Sequence, residues 1–233
     1  MNFEEAFEKV KTIVEAAEGE AVMAAMFHET WKPAAFDKEL TARMGTSFAT
    51  HSFNIVRIAL RREMILSLMR IWDSNPKALR MTVICENLKD DVFFRRLVAK
   101  RAASLGMASA SIEAYMAKSM EPRRAEVLSL IRRYTEGGSG YGAFRKLRAL
   151  RDKRLAHRQT NDLSTAVDNP EDNEVETFYK DSLSVVTLLL SLVLGRAFNL
   201  DEAGDVYRHH AKFFWVSVRG ECTEGHPYYR KPT

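Results

Sequence analysis

The sequence predicts an all-α protein, a helical bundle of about eight or nine helices with long central helices. Three observations carry this reading. Apolar residues recur at three- and four-residue spacing along most of the 233 residues. Gly (11) and Pro (6) are scarce, which leaves few of the turns that a many-stranded protein needs. No stretch sustains the alternation of a strand, and no internal repeat is visible. A hydrophobic share of 46% supplies a sizeable core, and the length suits one helical domain with or without a helical appendage.

Each element follows from its local pattern. Phe3, Ala6, Phe7, Val10, Ile13, Val14 and Ala17 share one helical face. Gly19 permits a bend, and helix resumes from Glu20 to Trp31, where Lys32-Pro33 is expected to stop it. Asp37 or Lys38 opens a long segment reaching Asp73, with Gly45 as a possible interruption. Ser74-Asn75-Pro76 marks the next start, a capping side chain ahead of Pro, for a helix from Lys77 to about Leu88. Another runs from Asp90 to Ser104 and closes at Leu105-Gly106. Ser109 or Ser111 begins a region reaching Glu136, in which Pro122 either bends the helix or starts a new one. Gly137-Gly138-Ser139-Gly140 is a loop, and a basic helix follows from Tyr141 to His157. Asn169-Pro170-Glu171-Asp172 starts a helix that continues through an apolar run to Phe198. Asn199 caps the last helix, Asp201 to about Val218. Residues 1–200 are expected to form one helical domain, with 201–233 adding a C-terminal helix and a loose tail packed on it.

Composition excludes several classes. The start MNFEEAFEKV is acidic and amphipathic, unlike a signal peptide. The most apolar run, Leu183 to Leu194, is twelve residues interrupted by Ser184, Thr187 and Ser191. That is too short to span a bilayer and reads as a buried helix. Cys85 and Cys222 have neither metal-type spacing nor a reason to pair, so a cytoplasmic protein with two thiols is expected. The net charge of +4 conceals an asymmetry. Arg123 to Arg158 holds 11 Lys and Arg against 3 acids, and Asn161 to Asp181 holds 7 acids against one Lys. Two readings fit: solvated helix faces that pair with one another, or a phosphate-binding surface beside an acidic segment that limits access to it.

Most catalytic templates are absent. GGSG lacks the Lys-Ser/Thr tail of a phosphate loop, and neither His-Glu-x-x-His nor Cys-x-x-Cys occurs. His209 and His210 are adjacent, so on a helix they point about 100° apart and do not chelate one ion. His28 and His51 lie in apolar helices and read as core histidines, and Cys85 reads as packing. No metal and no cofactor are expected. His157 differs because Arg145, Lys146, Arg148, Arg151, Lys153, Arg154 and Arg158 surround it in sequence. Cationic neighbours lower a histidine's pKa and a helix C-terminus raises it. Arg151 lies six residues earlier, roughly 120° away on a regular helix. The two converge only if the last turn departs from α geometry or two copies of the helix meet.

The run Leu150-Arg151-Asp152-Lys153-Arg154-Leu155-Ala156-His157 resembles the Arg, short-spacer, His signature of the HEPN superfamily, and within it the abortive-infection U branch. Met69-Arg70-Ile71-Trp72-Asp73 is similar to that family's apolar-Asp end of a long helix. The resemblance spans about residues 1–200. It implies a helical bundle that dimerises to bring two motifs into one cleft, acting as a metal-independent endoribonuclease in toxin–antitoxin or phage-defence systems. By that resemblance His157 of each copy serves as base and acid, Arg151 stabilises the crowded phosphate, and Asp152 orients a motif side chain. Arg148, Lys153, Arg154 and Arg158 hold RNA phosphates. Where some branches carry a Tyr two residues after the His, this sequence has Gln159, which argues against control by nucleotide transfer. The other reading keeps the fold without catalysis: Arg151 pairs with an acid of 161–181, His157 caps a helix, and the protein binds an antitoxin or another defence protein.

Overall fold

A computed structural model describes residues 2–73, 75, 80–106, 109–152 and 170–231. Among the described residues it contains nine α-helices and no strand. They are α1 (Phe3–Phe36), α2 (Lys38–Met44), α3 (Phe48–Ile71), α4 (Met81–Lys89), α5 (Asp91–Ala103), α6 (Ala110–Arg133), α7 (Tyr141–Leu150), α8 (Asp172–Leu189) and α9 (Leu200–Val216). A π-helical turn, Leu190–Leu194, extends α8.

Most expected signals act as read, and three do not. Pro33 does not stop α1, because it lies within the last turn and forfeits only one backbone bond there; its carbonyl still accepts from Asp37 N–H at 2.9 Å. Pro122 likewise sits inside an unbroken α6. The helix expected to reach Phe198 ends at Gly195, whose φ of 66° is left-handed. A Cβ there would lie 1.5 Å from the Arg101 guanidinium, which bonds the Leu194 carbonyl at 3.4 Å. Elsewhere Asp37 caps α2 through Glu39 and Leu40 N–H groups at 2.8 and 3.0 Å, and Gly45 ends it. Asp90 caps α5 and Ser109 caps α6.

The chain divides into two compact units, Met1–Ala21 with Leu68–Asn199, and Val22–Ser67 with Leu200–Thr233. In the first, α6 packs against α4, α5 and α8, and α7 packs on α8. Its centre is aromatic: Phe178 on α8 is fully buried and meets Tyr134 at 4.9 Å, Trp72 at 5.7 Å and Phe144 at 6.1 Å between ring centroids. Trp72 Nε1–H donates to Ser182 Oγ at 2.9 Å, and Tyr134 O–H donates to Asp181 at 2.7 Å. Burial, reinforced by the Asp181 carboxylate, pushes the Tyr134 hydroxyl pKa up, so it stays a donor. The apolar run of the sequence belongs to a continuous helix, Asp172–Leu194, long and apolar enough to cross a bilayer. Yet 56% of that window is buried inside the protein, which is the pattern of a core helix.

The second unit has its own core of Ala34, Leu40, Met44, Phe53, Ala211 and Trp215. Trp215 Nε1–H donates to the Thr30 carbonyl at 2.8 Å, and Phe53 meets Trp215 edge-on at 5.6 Å. Below this core His28 Nδ1 contacts Glu29 Oε1 at 2.9 Å, and Arg208 Nε–H donates to Glu29 Oε2 at 2.7 Å. His28 is a core histidine as expected, whereas His51 faces solvent. The expected loose tail is docked: Glu221 accepts from the Phe48 and Ala49 N–H groups at 2.5 and 3.4 Å, capping α3 from 173 residues away. Gly220 N–H donates to the Arg43 carbonyl at 3.0 Å, and the Thr223 hydroxyl donates to the same oxygen at 2.6 Å.

Two outcomes follow from these contacts. Burial alone would raise the Glu29 pKa, but the bonds from His28 and Arg208, and their charge, outweigh it and hold it at about 2. A carboxyl depressed below its unfolded value stabilises the fold above that value, near 4.5. Up to about 3 kcal/mol is then lost as pH falls from about 4.5 towards 2. Urea denaturation across that range should show the loss, and Glu29→Gln should flatten it. Gly195→Ala should destabilise by about 1–3 kcal/mol, read from thermal melting.

Candidate functional site

Helix α7 is amphipathic in the simplest way. Leu147 and Leu150 are buried, and Arg145 and Arg148 point to solvent. The apolar side seats it on α8, which delivers the next residue, Arg151, to the aromatic centre of the first unit. At Arg151 and Asp152 the chain departs from α geometry into a π-helical turn. The 120° separation expected of Arg151 and His157 presumes a regular helix, and that regularity ends at Leu150.

Arg151 is held by two carboxylates. Its Nε–H donates to Asp152 Oδ1 at 2.7 Å, and its Nη1 lies 3.4 Å from Asp73 Oδ2. Asp152 also faces Arg148 Nε at 3.8 Å. The Arg151 side chain is 17% exposed, so the low-dielectric surroundings strengthen both pairs. Asp73 is itself fixed. It follows Trp72, locked by ring contacts and Ser182, and its Oδ1 accepts the Asn75 N–H at 2.9 Å. Asp73, Arg151, Asp152 and Arg148 thus form a line of alternating charge with no net charge.

Among the described residues the Arg151 fork is engaged along one edge. A guanidinium has five N–H donors in a rigid fork. Nε and one Nη1 hydrogen face the carboxylates, and among the described residues no bond engages Nη2. An arginine anchored on one side and open on the other presents its second edge to an oxyanion without losing rotamer freedom.

The structure brings Arg151, Asp152 and Arg148 together. Lys153, Arg154, His157 and Arg158 lie outside the described residues. Among the described residues Arg151 takes no acid of the 161–181 stretch. Other cations do: Lys146 pairs with Glu174 at 3.2 Å and Arg133 with Asp181 at 2.9 Å. The Glu174 pKa is lowered, first by the Glu171 N–H it accepts and then by Lys146. Of the two readings of the charge asymmetry, the pairing of helix faces is seen at Lys146 and Arg133. The side chain to which sequence reasoning gave no role is Asp73; its signal was the apolar-Asp end of the long helix. Among the described residues no group of three or more His, Cys, Asp or Glu side chains is placed to hold a metal ion.

Asp73 and its neighbour Trp72 predict unequal mutational costs. Asp73→Asn should destabilise by about 1 kcal/mol, the scale of one partly exposed ion pair. Trp72→Ala should cost about 3–5 kcal/mol, because it empties the aromatic centre that seats Asp73. Urea denaturation of both variants measures the difference.

Comparison with known proteins agrees with the motif. Residues 7–214 match the family model described as AbiU2, of the HEPN group. Neither curated proteins nor solved structures give a match. The matched span takes in α2 to α8 complete and most of α1 and α9, and the chain therefore belongs to the HEPN AbiU2 family.

Proposed function

We propose that this protein is a HEPN-type endoribonuclease of an abortive-infection or toxin–antitoxin system, working in the cytoplasm without a metal or cofactor. The observation that carries the reading is the state of Arg151, anchored by Asp152 and Asp73 with Nη2 engaged by no bond among the described residues, within the span matched to the family. RNA supplies its own nucleophile. Its 2′-hydroxyl attacks the adjacent phosphorus, the P–O bond to the 5′-oxygen breaks, and a cyclic phosphate and a free 5′-hydroxyl result. His157 of one copy accepts the 2′-hydroxyl proton, and His157 of a second copy donates one to the leaving oxygen. Arg151 opposes the charge that builds on the phosphate oxygens, where a fixed donor gains most. Asp152 keeps Arg151 in place. Arg148, Lys153, Arg154 and Arg158 bind flanking phosphates, so affinity falls with salt.

The test uses purified protein and structured and single-stranded RNA in the presence of a chelator. Cleavage is expected to leave 2′,3′-cyclic phosphate ends. His157→Ala should lower the rate by about 10²–10⁴-fold and Arg151→Ala by about 10²–10³-fold. Folding, read by circular dichroism, should be kept in both. Arg148→Ala should mainly weaken binding and shallow its salt dependence. Undiminished cleavage in both motif variants would remove the catalytic assignment. Absence of cleavage with tight capture of a cognate antitoxin would make the protein a non-catalytic member of its family.

A further inference from the structure

Helix α9 turns an apolar face to water. Ala211 and Trp215 point into the core of the second unit. Val206, Phe213 and Val216 fall within an arc of about 80° on the other side of the helix, Phe213 about 160° from Trp215. All three are more than half exposed, as is Phe214 on the flank. His209 lies in the same arc, its ring 4.9 Å from that of Phe213 and edge-on to it. From Ala211 to Val218 only Lys212 and Ser217 are polar, and a helix apolar on all sides is ordinarily covered on all sides. The four exposed side chains present roughly 400 Å² of apolar surface, a patch of the size that marks an interaction site.

The charges around this patch indicate what covers it. From His209 to Lys231 the cations are Lys212, Arg219, Arg230 and Lys231, and the acids are Glu221 and Glu224. Glu221 is buried on the Phe48 and Ala49 N–H groups, which leaves four cations facing one exposed acid. The tail brings its cations back to the end of α9, since the Arg230 N–H donates to the Glu221 carbonyl at 2.7 Å, three residues past Val218. Tyr228 and Tyr229 are exposed beside it, each an apolar ring with a polar tip. The acids of α9, Asp201, Glu202 and Asp205, are confined to its first two turns.

We propose that the C-terminal half of α9 and the tail behind it dock on an anionic lipid bilayer. Phe213, Phe214 and Val216 enter the boundary between headgroups and acyl chains, and Lys212, Arg219, Arg230 and Lys231 meet the lipid phosphates. Aromatic rings mixed with Lys and Arg are the composition of a membrane interface, whereas the centre of a protein–protein interface is poor in Lys. The acids at the start of α9 are repelled by such a surface, so the helix meets it tilted, C-terminal end first. One patch of this area with four cations gives reversible attachment rather than insertion.

The docking is independent of the ribonuclease reading, whose Arg151 belongs to the first unit. The full chain should float with vesicles of phosphatidylcholine mixed with phosphatidylglycerol, and not with phosphatidylcholine alone. Added salt should release it. Phe213→Ser with Phe214→Ser, and separately Lys212→Glu with Lys231→Glu, should each lower the bound fraction more than about tenfold. Melting temperatures should hold, because these side chains are mostly in water already. Phe213→Trp keeps the bulk of the ring and reads the site even if the serine variant misfolds. Its emission should shift to the blue when mixed vesicles are added, over a constant background from the buried Trp31, Trp72 and Trp215. A chain that stays unbound at low salt, or floats equally with phosphatidylcholine alone, would overturn the proposal. So would flotation indifferent to both variant pairs, or bound protein whose Phe213→Trp emission does not move.

Discussion

Three aromatic rings from separate stretches of chain converge on a fourth, Phe178, and the first unit is organised around that meeting. Trp72 closes α3, Tyr134 closes α6, Phe144 lies in the second turn of α7, and Phe178 sits in α8. Each ring pair contributes about 0.5–1.5 kcal/mol beyond its buried area. The polar handles matter as much, because the indole N–H and the phenol O–H find partners on consecutive residues of α8, Asp181 and Ser182. Two helix ends are therefore fixed in rotation as well as in position. Asp73 and Arg151 meet because their neighbours in sequence, Trp72 and Leu150, have no other place to go.

That dependence explains why the charged line at the site is built with short side chains at its fixed points. Asp73 and Asp152 have little rotamer freedom to lose, and Arg151, the long residue, is braced at two of its nitrogens. The remaining cationic edge is presented by a scaffold rather than by a surface side chain free to wander. A site assembled this way tolerates change at its exposed rim, at Arg148 or Arg145, far better than change in the apolar layer beneath it.

Much of this was legible in the sequence, for identifiable reasons. Helix periodicity in α1, α3 and α8 survives any tertiary context, and the caps Asp37, Asp90 and Ser109 act through bonds two or three residues away. The family motif identifies Arg151 and Asp152 because they are adjacent in sequence. Asp73 lies 78 residues from Arg151, and no local pattern states that the two will touch. Pro33 misled because a proline's cost, a lost bond and a crowded carbonyl in the turn before it, is finite, and packing elsewhere along a helix can outweigh it. The end at Gly195 escaped notice although its signal is local: with a left-handed φ the glycine turns the chain so that the Arg196 N–H bonds back to the Leu190 carbonyl, directly after an apolar run whose periodicity gives no stop.

The carboxylate of Glu221 on the first N–H groups of α3 has a temporal side. Those donors are orphans that a local Ser, Thr or Asp satisfies in most helices, and the bond from the Phe48 N–H pulls the Glu221 carboxyl below its usual range. Here the partner is translated 173 residues later. On a ribosome emitting about 5–20 residues per second, α3 waits on the order of ten seconds or more for these two bonds. During that interval the first turn is held only by Ser47, whose hydroxyl accepts the Thr50 N–H at 3.3 Å. The second unit is thus completed only when both ends of its discontinuous segments have emerged, and a chain cut short before Glu221 would be released with α3 unfinished.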